Sequence, residues 1–310
     1  MEFAHIPVLL DEVLDGLQIK PDGVYVDGTV GGAGHSIEIA KRLTTGRLIA
    51  IDRDEDALMA SAKRLEAFKE KVSFVHDDYK NMLRDLDAIG VGEVDGILLD
   101  LGVSSYQLDN AERGFSYTKD APLDMRMDRT GYLTAFNVVN EYSVNELTKI
   151  LWDYGEERLA RRIAENIAEA REKKTISTTL ELAKIVEASY PAKTRWKYGN
   201  PSKRTFQAIR IEVNGELEKL QDAVTGMARR LKKGGRMAVI TFHSLEDRIV
   251  KNVFKELNLA CTCPPDFPVC VCGKVQEVEL VNKKPITASE KELKNNPRAE
   301  SAKLRIVERI

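Results

Sequence analysis

The stretch GVYVDGTVGGAGHS, residues 23–36, decides the fold. It starts as a short apolar run that ends at Asp27, and it continues through four glycines into a segment with helical spacing. Glycines let the backbone turn sharply and approach a ligand closely. A strand, a glycine-rich turn and a helix in this order predict the first unit of a doubly wound α/β sheet, where nucleotides bind.

The same alternation continues on both sides of a long interruption. Apolar runs that predict further strands lie at residues 46–52, 71–76, 94–100, 236–242, 277–281 and 302–307. Near-continuous apolar runs separated by helices indicate a parallel sheet covered on both faces, and the last two runs favour a closing antiparallel pair. Residues 106–205 show only helical patterns. We therefore predict a sheet domain in two parts, residues 1–105 and 206–310, with an inserted helical domain at 106–205.

Composition narrows the class of protein. The 310 residues carry 47 basic and 49 acidic side chains, so the formal net charge is −2, and 43% of the residues are hydrophobic. This balance excludes a histone-like basic protein and disfavours intrinsic disorder. No apolar run approaches the roughly 20 residues that a membrane span needs, and residues 1–12 lack the features of a secretory leader. We expect a cytoplasmic protein that does not enter a membrane.

Acidic residues at strand ends indicate which nucleotide binds. Asp27 precedes the glycines, and a carboxylate there would repel a pyrophosphate but attract the cationic amino-acid end of S-adenosylmethionine. Asp52 ends the second strand, where an acid can accept hydrogen bonds from ribose hydroxyls. We favour S-adenosylmethionine over a nicotinamide cofactor. Asp100 ends the fourth strand, where the methyl group should meet its acceptor, and Tyr79 is either an adenine contact or an ordinary half-buried tyrosine.

Seven strings carry a resemblance to a known family. They are DGTVGGAGHS (27–36), DLGVSS (100–105), ERGFS (112–116), LDMRMD (123–128), YGEER (154–158), FQAIR (206–210) and FHSLEDR (242–248). Together they closely resemble the bacterial small-subunit (16S) ribosomal RNA cytosine-N4 methyltransferases (RsmH, also called MraW). The similarity extends from about residue 5 to residue 309, and several of the strings are peculiar to that family.

The resemblance implies a class I (Rossmann-like) methyltransferase sheet with an inserted all-helical domain. It also implies methyl transfer from S-adenosylmethionine to the exocyclic N4 of one cytidine in the decoding region, within the assembled or assembling small subunit. The cofactor contacts that the family implies fall on Ala33, Gly34, His35, Asp52, Tyr79, Asp100 and Gln107. Alanine at position 33 often is glycine in the family, and tyrosine at 79 often is phenylalanine, but both changes keep size or aromaticity.

The acceptor chemistry indicates candidate catalytic residues. Cytosine N4 is a poor nucleophile because its lone pair is delocalised into the ring, so hydrogen-bond acceptors on the amino group would help it. Asp100 and nearby backbone carbonyls are our candidate acceptors. The base must leave its stack, and Phe242 and His243 follow the fifth strand where a wall for it is needed, although Phe242 could be core and His243 a structural hydrogen-bonder. No cysteine lies near these positions, which disfavours methylation at C5 through a cysteine adduct.

A basic segment indicates where RNA binds. Between residues 188 and 211 there are six basic side chains and no acid, with aromatic residues interleaved. Basic groups bind phosphates and aromatic rings stack on unpaired bases, whereas the alternative is a solvated basic face. The RNA-binding candidates are Lys193, Arg195, Trp196, Lys197, Lys203, Arg204 and Arg210.

All four cysteines lie in one short segment. The pattern Cys261-x-Cys263 and Cys270-x-Cys272 offers four thiolates, which could bind a structural zinc ion, or the cysteines are reduced thiols in a surface loop. Clustering also disfavours a secreted disulfide framework. Two other functions compete with the favoured one: a DNA amino-methyltransferase, whose usual Pro-Pro-aromatic string is missing after Asp100, and a non-catalytic ribosome assembly factor.

Overall fold

The computed structural model describes residues 7–193, 195, 199–264 and 269–310. The chain divides into two compact units, Met1–Gly102 with Leu217–Ile310, and Val103–Glu216. The predicted domain ranges stay a prediction, although the predicted boundary between residues 205 and 206 lies inside a helix of the second unit.

The first unit contains a seven-stranded sheet. Its strands are β1 (Val24–Asp27), β2 (Arg47–Asp52), β3 (Val72–His76), β4 (Val94–Asp100), β5 (Leu231–Thr241), β6 (Val278–Leu280) and β7 (Lys303–Arg309). They are arranged in the order β3-β2-β1-β4-β5-β7-β6. Strands β1 to β5 pair in parallel, and β7 pairs antiparallel with both β5 and β6. The predicted α/β class and the closing antiparallel pair are confirmed.

Helices connect the strands of the first unit and fill the second. The helices, numbered along the chain, are α1 (Leu10–Leu17), α2 (Gly34–Arg42), α3 (Glu55–Arg64), α4 (Met82–Ala88), α5 (Ser105–Asp109), α6 (Ala135–Glu141), α7 (Val144–Asp153), α8 (Ala160–Lys173), α9 (Thr179–Ser189), α10 (Ser202–Asn214), α11 (Leu220–Arg230), α12 (Ser244–Leu257) and α13 (Glu290–Asn295). Helices α5 to α10 belong to the second unit, whose described residues include no strand.

Alternate residues of the strands bury opposite faces of the sheet. In β4, Ile97 and Leu99 pack with α4, α11 and α12 on one face, whereas Leu98 packs with α1 and α2 on the other. All three are fully buried. Successive side chains of a strand point to opposite faces, so a run that is apolar throughout is buried on both sides. This burial explains why the strands are readable as uninterrupted apolar runs.

The junction of α11 and β5 differs from the prediction. The sequence predicted a strand only from residue 236, directly after Gly234 and Gly235. Instead α11 ends at Arg230 and β5 begins at Leu231. Leu231 is buried and pairs with Val94, and the β4–β5 register then shifts before Gly96 pairs with Arg236. The glycines therefore lie in the irregular first half of a strand.

The second unit has a core of its own. Helices α6 to α10 contribute buried apolar side chains, as do Phe115, Leu123, Met125 and Met127 from the segment that precedes α6. Several of these helices begin with a capping box, in which the N-cap side chain and the third helical residue bond reciprocally to each other's backbone. Local caps and an apolar core stabilise this unit without a sheet among its described residues.

Candidate active site

The predicted site residues of the first unit lie at one edge of its sheet. Strands β1, β2 and β4 are parallel and adjacent, and they end at Asp27, Asp52 and Asp100. The carboxyl ends of parallel strands are where ligands gather in open α/β sheets. The edge therefore carries three acids, and each acid has different surroundings.

The glycine loop joins β1 to α2 and is fixed to the neighbouring strands. The backbone N–H of Gly28 donates to the carbonyl of Leu98 in β4 (2.9 Å), and that of Val30 donates to the carbonyl of Ile51 in β2 (2.9 Å). Ala33 adopts a left-handed conformation (φ 60°) as the residue that caps α2. The loop is therefore held across the carboxyl edge.

Gly28 has no room for a side chain. A Cβ atom there would come within 2.5 Å of Leu99 Cδ2, 2.8 Å of Met82 Cε and 3.2 Å of Tyr79 Cβ. These contacts also show that Tyr79, which starts a 3-10 turn after β3, is adjacent to the glycine loop. A Cβ on Gly34 would meet Pro7 Cγ at 2.5 Å, so the start of α2 is covered by the N-terminal segment.

Asp27 is engaged by the protein itself. Its carboxylate accepts hydrogen bonds from the Ser36 hydroxyl (2.7 Å) and the Thr29 backbone N–H (3.1 Å). Burial raises its pKa to about 6, although both hydrogen bonds oppose that rise. Asp27 therefore ties the two ends of the glycine loop together, in addition to any attraction it exerts on a bound cation.

Asp52 has a similar role at the end of β2. One carboxylate oxygen accepts the Gly31 N–H (2.8 Å) and the other accepts the Asp54 N–H (2.9 Å). Burial raises the pKa of this carboxyl to about 6 as well. Because each carboxylate oxygen can accept more than one hydrogen bond, Asp52 retains capacity for a ribose hydroxyl while it positions the loop.

Asp100 differs from the other two acids. Its backbone N–H donates to the Thr29 hydroxyl (2.6 Å), but its Oδ1 atom is buried and has no hydrogen-bond partner among the described residues. Burial, with smaller effects of Asp27 and Glu246, raises the pKa of Asp100 to about 8. A buried acceptor without a partner costs about 1–3 kcal/mol, and such groups are uncommon in native proteins unless a ligand or water satisfies them. A ligand or water that donated a hydrogen bond to Asp100 Oδ1 would satisfy this atom.

His35 faces Asp100 from the first turn of α2. Its Nε2 lies 2.9 Å from the Val8 carbonyl oxygen. A carbonyl can only accept, so Nε2 carries a proton and donates. The other ring nitrogen, Nδ1, lies 3.9 Å from Asp100 Oδ2. The buried ring thus links the N-terminal segment to the acid at the end of β4.

Phe242 and His243 follow β5, next to β4 in the sheet. His243 is the N-cap of α12: its Nδ1 accepts the Glu246 N–H at 3.4 Å, and Glu246 Oε2 accepts the Phe242 N–H at 2.9 Å. His243 Nε2 lies 3.1 Å from Glu246 Oε1, and it forms no hydrogen bond with any described residue. Phe242 is half-buried, and its ring lies beside Gly102. His243 is thus a structural hydrogen-bonding residue in the cap of α12, and its catalytic role stays a prediction.

Sequence reasoning missed two residues of this edge. Thr29 accepts the backbone N–H of Asp100, and Glu246 is a buried carboxylate that fixes the turn after β5 and raises the pKa of Asp100. Glu246 stands three residues after the N-cap His243, which is the spacing of a capping box. Histidine is not among the preferred N-cap residues, so the pattern was easy to overlook.

Gln107 and the basic candidates belong to the second unit. Gln107 is buried and its side chain completes a capping box with Ser104 at the start of α5. Lys193 is exposed, as are Lys203 and Arg204 on α10. Trp196 and Lys197 lie outside the described residues. The predicted cofactor contact of Gln107 and the predicted RNA contacts stay predictions.

Arg210 is the one RNA-binding candidate whose described surroundings include a bidentate acidic partner. Its Nε and one terminal nitrogen donate to the two carboxylate oxygens of Glu216 at 2.8 and 2.9 Å. Both side chains are largely buried. A phosphate contact by Arg210 would require this pair to open. Sequence reasoning missed the pair because Glu216 lies just outside the acid-free segment.

Two further observations complete the site description. The four cysteines lie between α12 and β6, and their sulfur atoms are all within 4.8 Å of one another. Among the described residues, no helix combines the length and the apolar composition that crossing a bilayer requires.

Comparison with known proteins assigns the family. A profile of the MraW methylase family matches residues 2–310. The chain is 57% identical to the ribosomal RNA small subunit methyltransferase H of Lachnospira eligens (100% of this chain, 99% of that protein) and 55% identical to the protein of the same name from Clostridium botulinum strain Kyoto (100% of both). An rRNA methylase structure from Streptococcus thermophilus aligns at 13% identity over 99% of both chains with a TM-score of 0.42, too low to carry a conclusion. The resemblance inferred from the seven strings is confirmed, and the chain belongs to the MraW methylase family.

Proposed function

We propose that this protein transfers a methyl group from S-adenosylmethionine to the exocyclic N4 of a cytidine in the decoding region of small-subunit ribosomal RNA. The broader prediction, an enzyme that uses S-adenosylmethionine to methylate ribosomal RNA, is confirmed by the family and by the names of its relatives. The observation that carries the finer proposal is Asp100 Oδ1, a buried acceptor at the carboxyl edge of the sheet that no described residue satisfies.

The described residues fit S-adenosylmethionine. The glycine loop offers a close backbone surface that a Cβ on Gly28 would disrupt, Asp52 stands where ribose hydroxyls need an acceptor, and Tyr79 lies beside the loop. Asp100 Oδ1 can accept a hydrogen bond from a bound ligand, because no described residue donates one to it. We assign the predicted contacts at Ala33, Gly34 and His35 to the same ligand, because all three lie where the loop enters α2.

Asp100 is the residue to which we assign the proton chemistry. Transfer forms the bond from N4 to the methyl carbon and breaks the methyl–sulfur bond, whose electron pair stays on sulfur, while N4 loses a proton. A carboxylate at Asp100 accepts a hydrogen bond from the amino group and then takes that proton. Its raised pKa of about 8 makes it a better base than an ordinary aspartate near neutral pH.

The turn after β5 would hold the cytosine. Asp100 pairs in register with Ile240, so Phe242 follows only two residues beyond the neighbouring position on β5. The Phe242 backbone N–H is fixed by Glu246, and its half-buried ring offers an apolar face. We assign Phe242 to the wall of the base pocket and His243 to the positioning of that wall through its cap on α12.

RNA recognition is assigned to the second unit. Lys193, Lys203 and Arg204 are exposed cations on a chain of net charge −2, and local basic patches on otherwise acidic proteins bind nucleic-acid phosphates. The proposed substrate is ribosomal RNA within the assembled or assembling small subunit, and the proposed location of the enzyme is therefore the cytoplasm.

The test uses unmodified small subunits, the matching naked RNA and a DNA of the same sequence. Each is incubated with the protein and methyl-labelled S-adenosylmethionine, and the nucleosides are then separated by mass spectrometry. Labelled N4-methylcytidine from the subunits is the expected product, and the naked RNA shows whether assembly is required. Label in DNA, or at another atom of the base, would contradict the proposed acceptor. Normal assembly with an inactive Asp100→Asn enzyme would instead favour an assembly factor.

A further inference from the structure

The cysteine cluster, defined as Cys261, Cys263, Cys270 and Cys272, has the geometry of a single-ion site. Its sulfur–sulfur distances include 3.5 Å (261–270), 4.0 Å (263–270), 3.5 Å (270–272) and 3.8 Å (261–272). A tetrahedron of sulfurs about 2.3 Å from a central zinc has edges of about 3.8 Å. The distances are far too long for disulfides, and all four cysteines are free.

Backbone donors surround the sulfurs. The N–H of Cys263 donates to Cys261 Sγ, that of Val271 to Cys263 Sγ, and that of Thr262 to Cys272 Sγ, each at 3.3 Å. Such outer contacts orient metal ligands. The local backbone therefore helps to hold the sulfur atoms in the positions that they occupy.

Apolar burial does not account for the convergence of the four sulfur atoms. Val269, Val271 and Val275 are 69–72% exposed, and three of the four cysteines are exposed as well. Long connections without secondary structure are uncommon in compact domains. Where a small segment lacks a core, metal binding often supplies its folding free energy. A cross-link by a metal ion is consistent with both the convergence of the sulfurs and the exposure around them.

We propose that the cysteine cluster binds one structural zinc ion that fixes the segment between α12 and β6. Four thiolates in tetrahedral arrangement select zinc or iron–sulfur centres, and sulfurs this close together surround a single ion. Because all four ligands come from the protein, no position is open for a substrate. The cluster also follows the C-terminal end of α12, whereas Phe242 and His243 precede its N-terminus, about 20 Å away along a helix of 14 residues.

The test begins with the full-length protein purified under reducing conditions. Zinc is measured by mass spectrometry of the elements, and the metal environment is measured by X-ray absorption. Exchange with Co²⁺ adds an optical readout, because tetrahedral cobalt thiolates absorb strongly in the visible and near-ultraviolet. We expect about one zinc per chain with four sulfur neighbours at about 2.3 Å.

Two variants make the test specific. Cys270→Ser removes a sulfur that lies within 4.0 Å of the other three, and we expect zinc to fall well below one per chain. Val269→Ser changes an exposed neighbour of the cluster and should keep a full complement. In case the first variant folds poorly, hydrogen exchange of the wild-type protein before and after chelation provides a second readout. Chelation should speed exchange between α12 and β6 and leave the glycine loop protected.

Three results would overturn the proposal. Reduced protein that takes up neither Zn²⁺ nor Co²⁺ from excess metal would exclude the site, and iron in place of zinc would exclude the assigned ion. Zinc retained by Cys270→Ser would place the metal elsewhere. None of these results bears on methyl transfer, which the nucleoside assay measures separately.

Discussion

The carboxyl edge of the first unit and the basic helix α10 of the second unit handle charge in opposite ways. At the edge, Asp27 is buried, Asp52 and Asp100 are partly buried, and Oδ1 of Asp100 is a buried atom that no described residue bonds. On α10, Lys203 and Arg204 are exposed, whereas Arg210 is neutralised by Glu216. A buried charge that stays unsatisfied costs free energy that the fold must offset, whereas an exposed charge costs almost nothing.

The hydrogen-bond partners of a charged residue separate a structural role from a role in binding. Both carboxylate oxygens of Asp27 and of Asp52 accept hydrogen bonds from described residues, so the structural role of these two acids is visible. Asp100 has an oxygen without such a hydrogen bond, and it is the acid to which we assign a contact with a ligand. The same rule applies on α10, where Arg210 has a structural partner in Glu216, whereas Lys203 and Arg204 are exposed.

The largest expected effect is on catalysis. Asp100→Asn keeps the size of the side chain but removes the base, and we expect kcat to fall by about 10²–10⁴-fold, the usual contribution of a positioned base. Affinity for S-adenosylmethionine, measured by calorimetry, should change by less than about tenfold if the loss concerns the chemical step. The matched control is Glu93→Gln, an exposed acid just before β4, which should keep wild-type activity. A normal kcat in the Asp100→Asn enzyme would show that Asp100 is no more important for catalysis than Asp27 and Asp52.

The second effect is on stability and concerns the other region. Arg210→Ala leaves Glu216 as a buried, unpaired charge, so we expect the free energy of unfolding to fall by about 3 kcal/mol. Chemical denaturation followed by circular dichroism measures it. Lys203→Ala on the same helix is the control and should change stability by less than about 0.5 kcal/mol. Unchanged stability of the Arg210 variant combined with weaker RNA binding would show that Arg210 serves RNA rather than the fold.

The third effect tests the close packing of the glycine loop. Gly28→Ala forces a Cβ against Leu99 and Met82, and overpacking of this kind costs about 1–3 kcal/mol. We expect a lower melting temperature together with weaker binding of S-adenosylmethionine. Gly92→Ala adds a Cβ in open space and should leave both quantities unchanged. Equal behaviour of the two variants would mean that the loop can shift and that its fixed position across the edge is not required.

The smallest effect concerns RNA affinity. Lys203→Ala should weaken binding of small-subunit RNA modestly and reduce the slope of log K against log salt by about one, as expected for the loss of one phosphate contact. Filter binding at several salt concentrations measures the slope. Lys184→Ala, an exposed lysine on α9 outside the basic segment, is the control. An unchanged slope for the Lys203 variant would indicate that the basic segment is an ordinary solvated surface that does not bind RNA.

The sequence predicted the strands of the sheet more accurately than it predicted the helices. Strands β1, β2 and β4 were readable because they are buried on both faces and end at an acid. Helix α10 was not predicted, because its basic residues hide the spacing of Phe206 and Ile209, which are buried in the second unit. The start of β5 was missed because Gly234 and Gly235 resemble a helix end, whereas the pairing of Leu231 with Val94 is a long-range contact.

For the candidate site, the sequence supplied residue types but not their partners. Acids at strand ends predicted where Asp52 and Asp100 would lie, since strand ends share an edge. The surroundings of Asp100 include Thr29, which accepts its backbone N–H, and Glu246, which raises its pKa, and these two residues come from different parts of the chain. The pairing of Arg210 with Glu216 likewise needs the turn that ends α10. Partners of this kind follow from the folded backbone and not from local spacing.

The pH dependence of kcat/KM tests the role of Asp100 most directly. In the free enzyme its pKa is about 8, with Asp27, Glu246 and His35 as the charged or titratable groups around it, and kcat/KM reports ionisations of the free enzyme. The protonated acid cannot accept the N4 proton, so kcat/KM should rise with pH, be about a hundredfold lower two pH units below the pKa, and level off above it. The Asp100→Asn enzyme should lose this rise. The same rise in both enzymes would show that another group takes the proton and would contradict the assignment of Asp100 as the base.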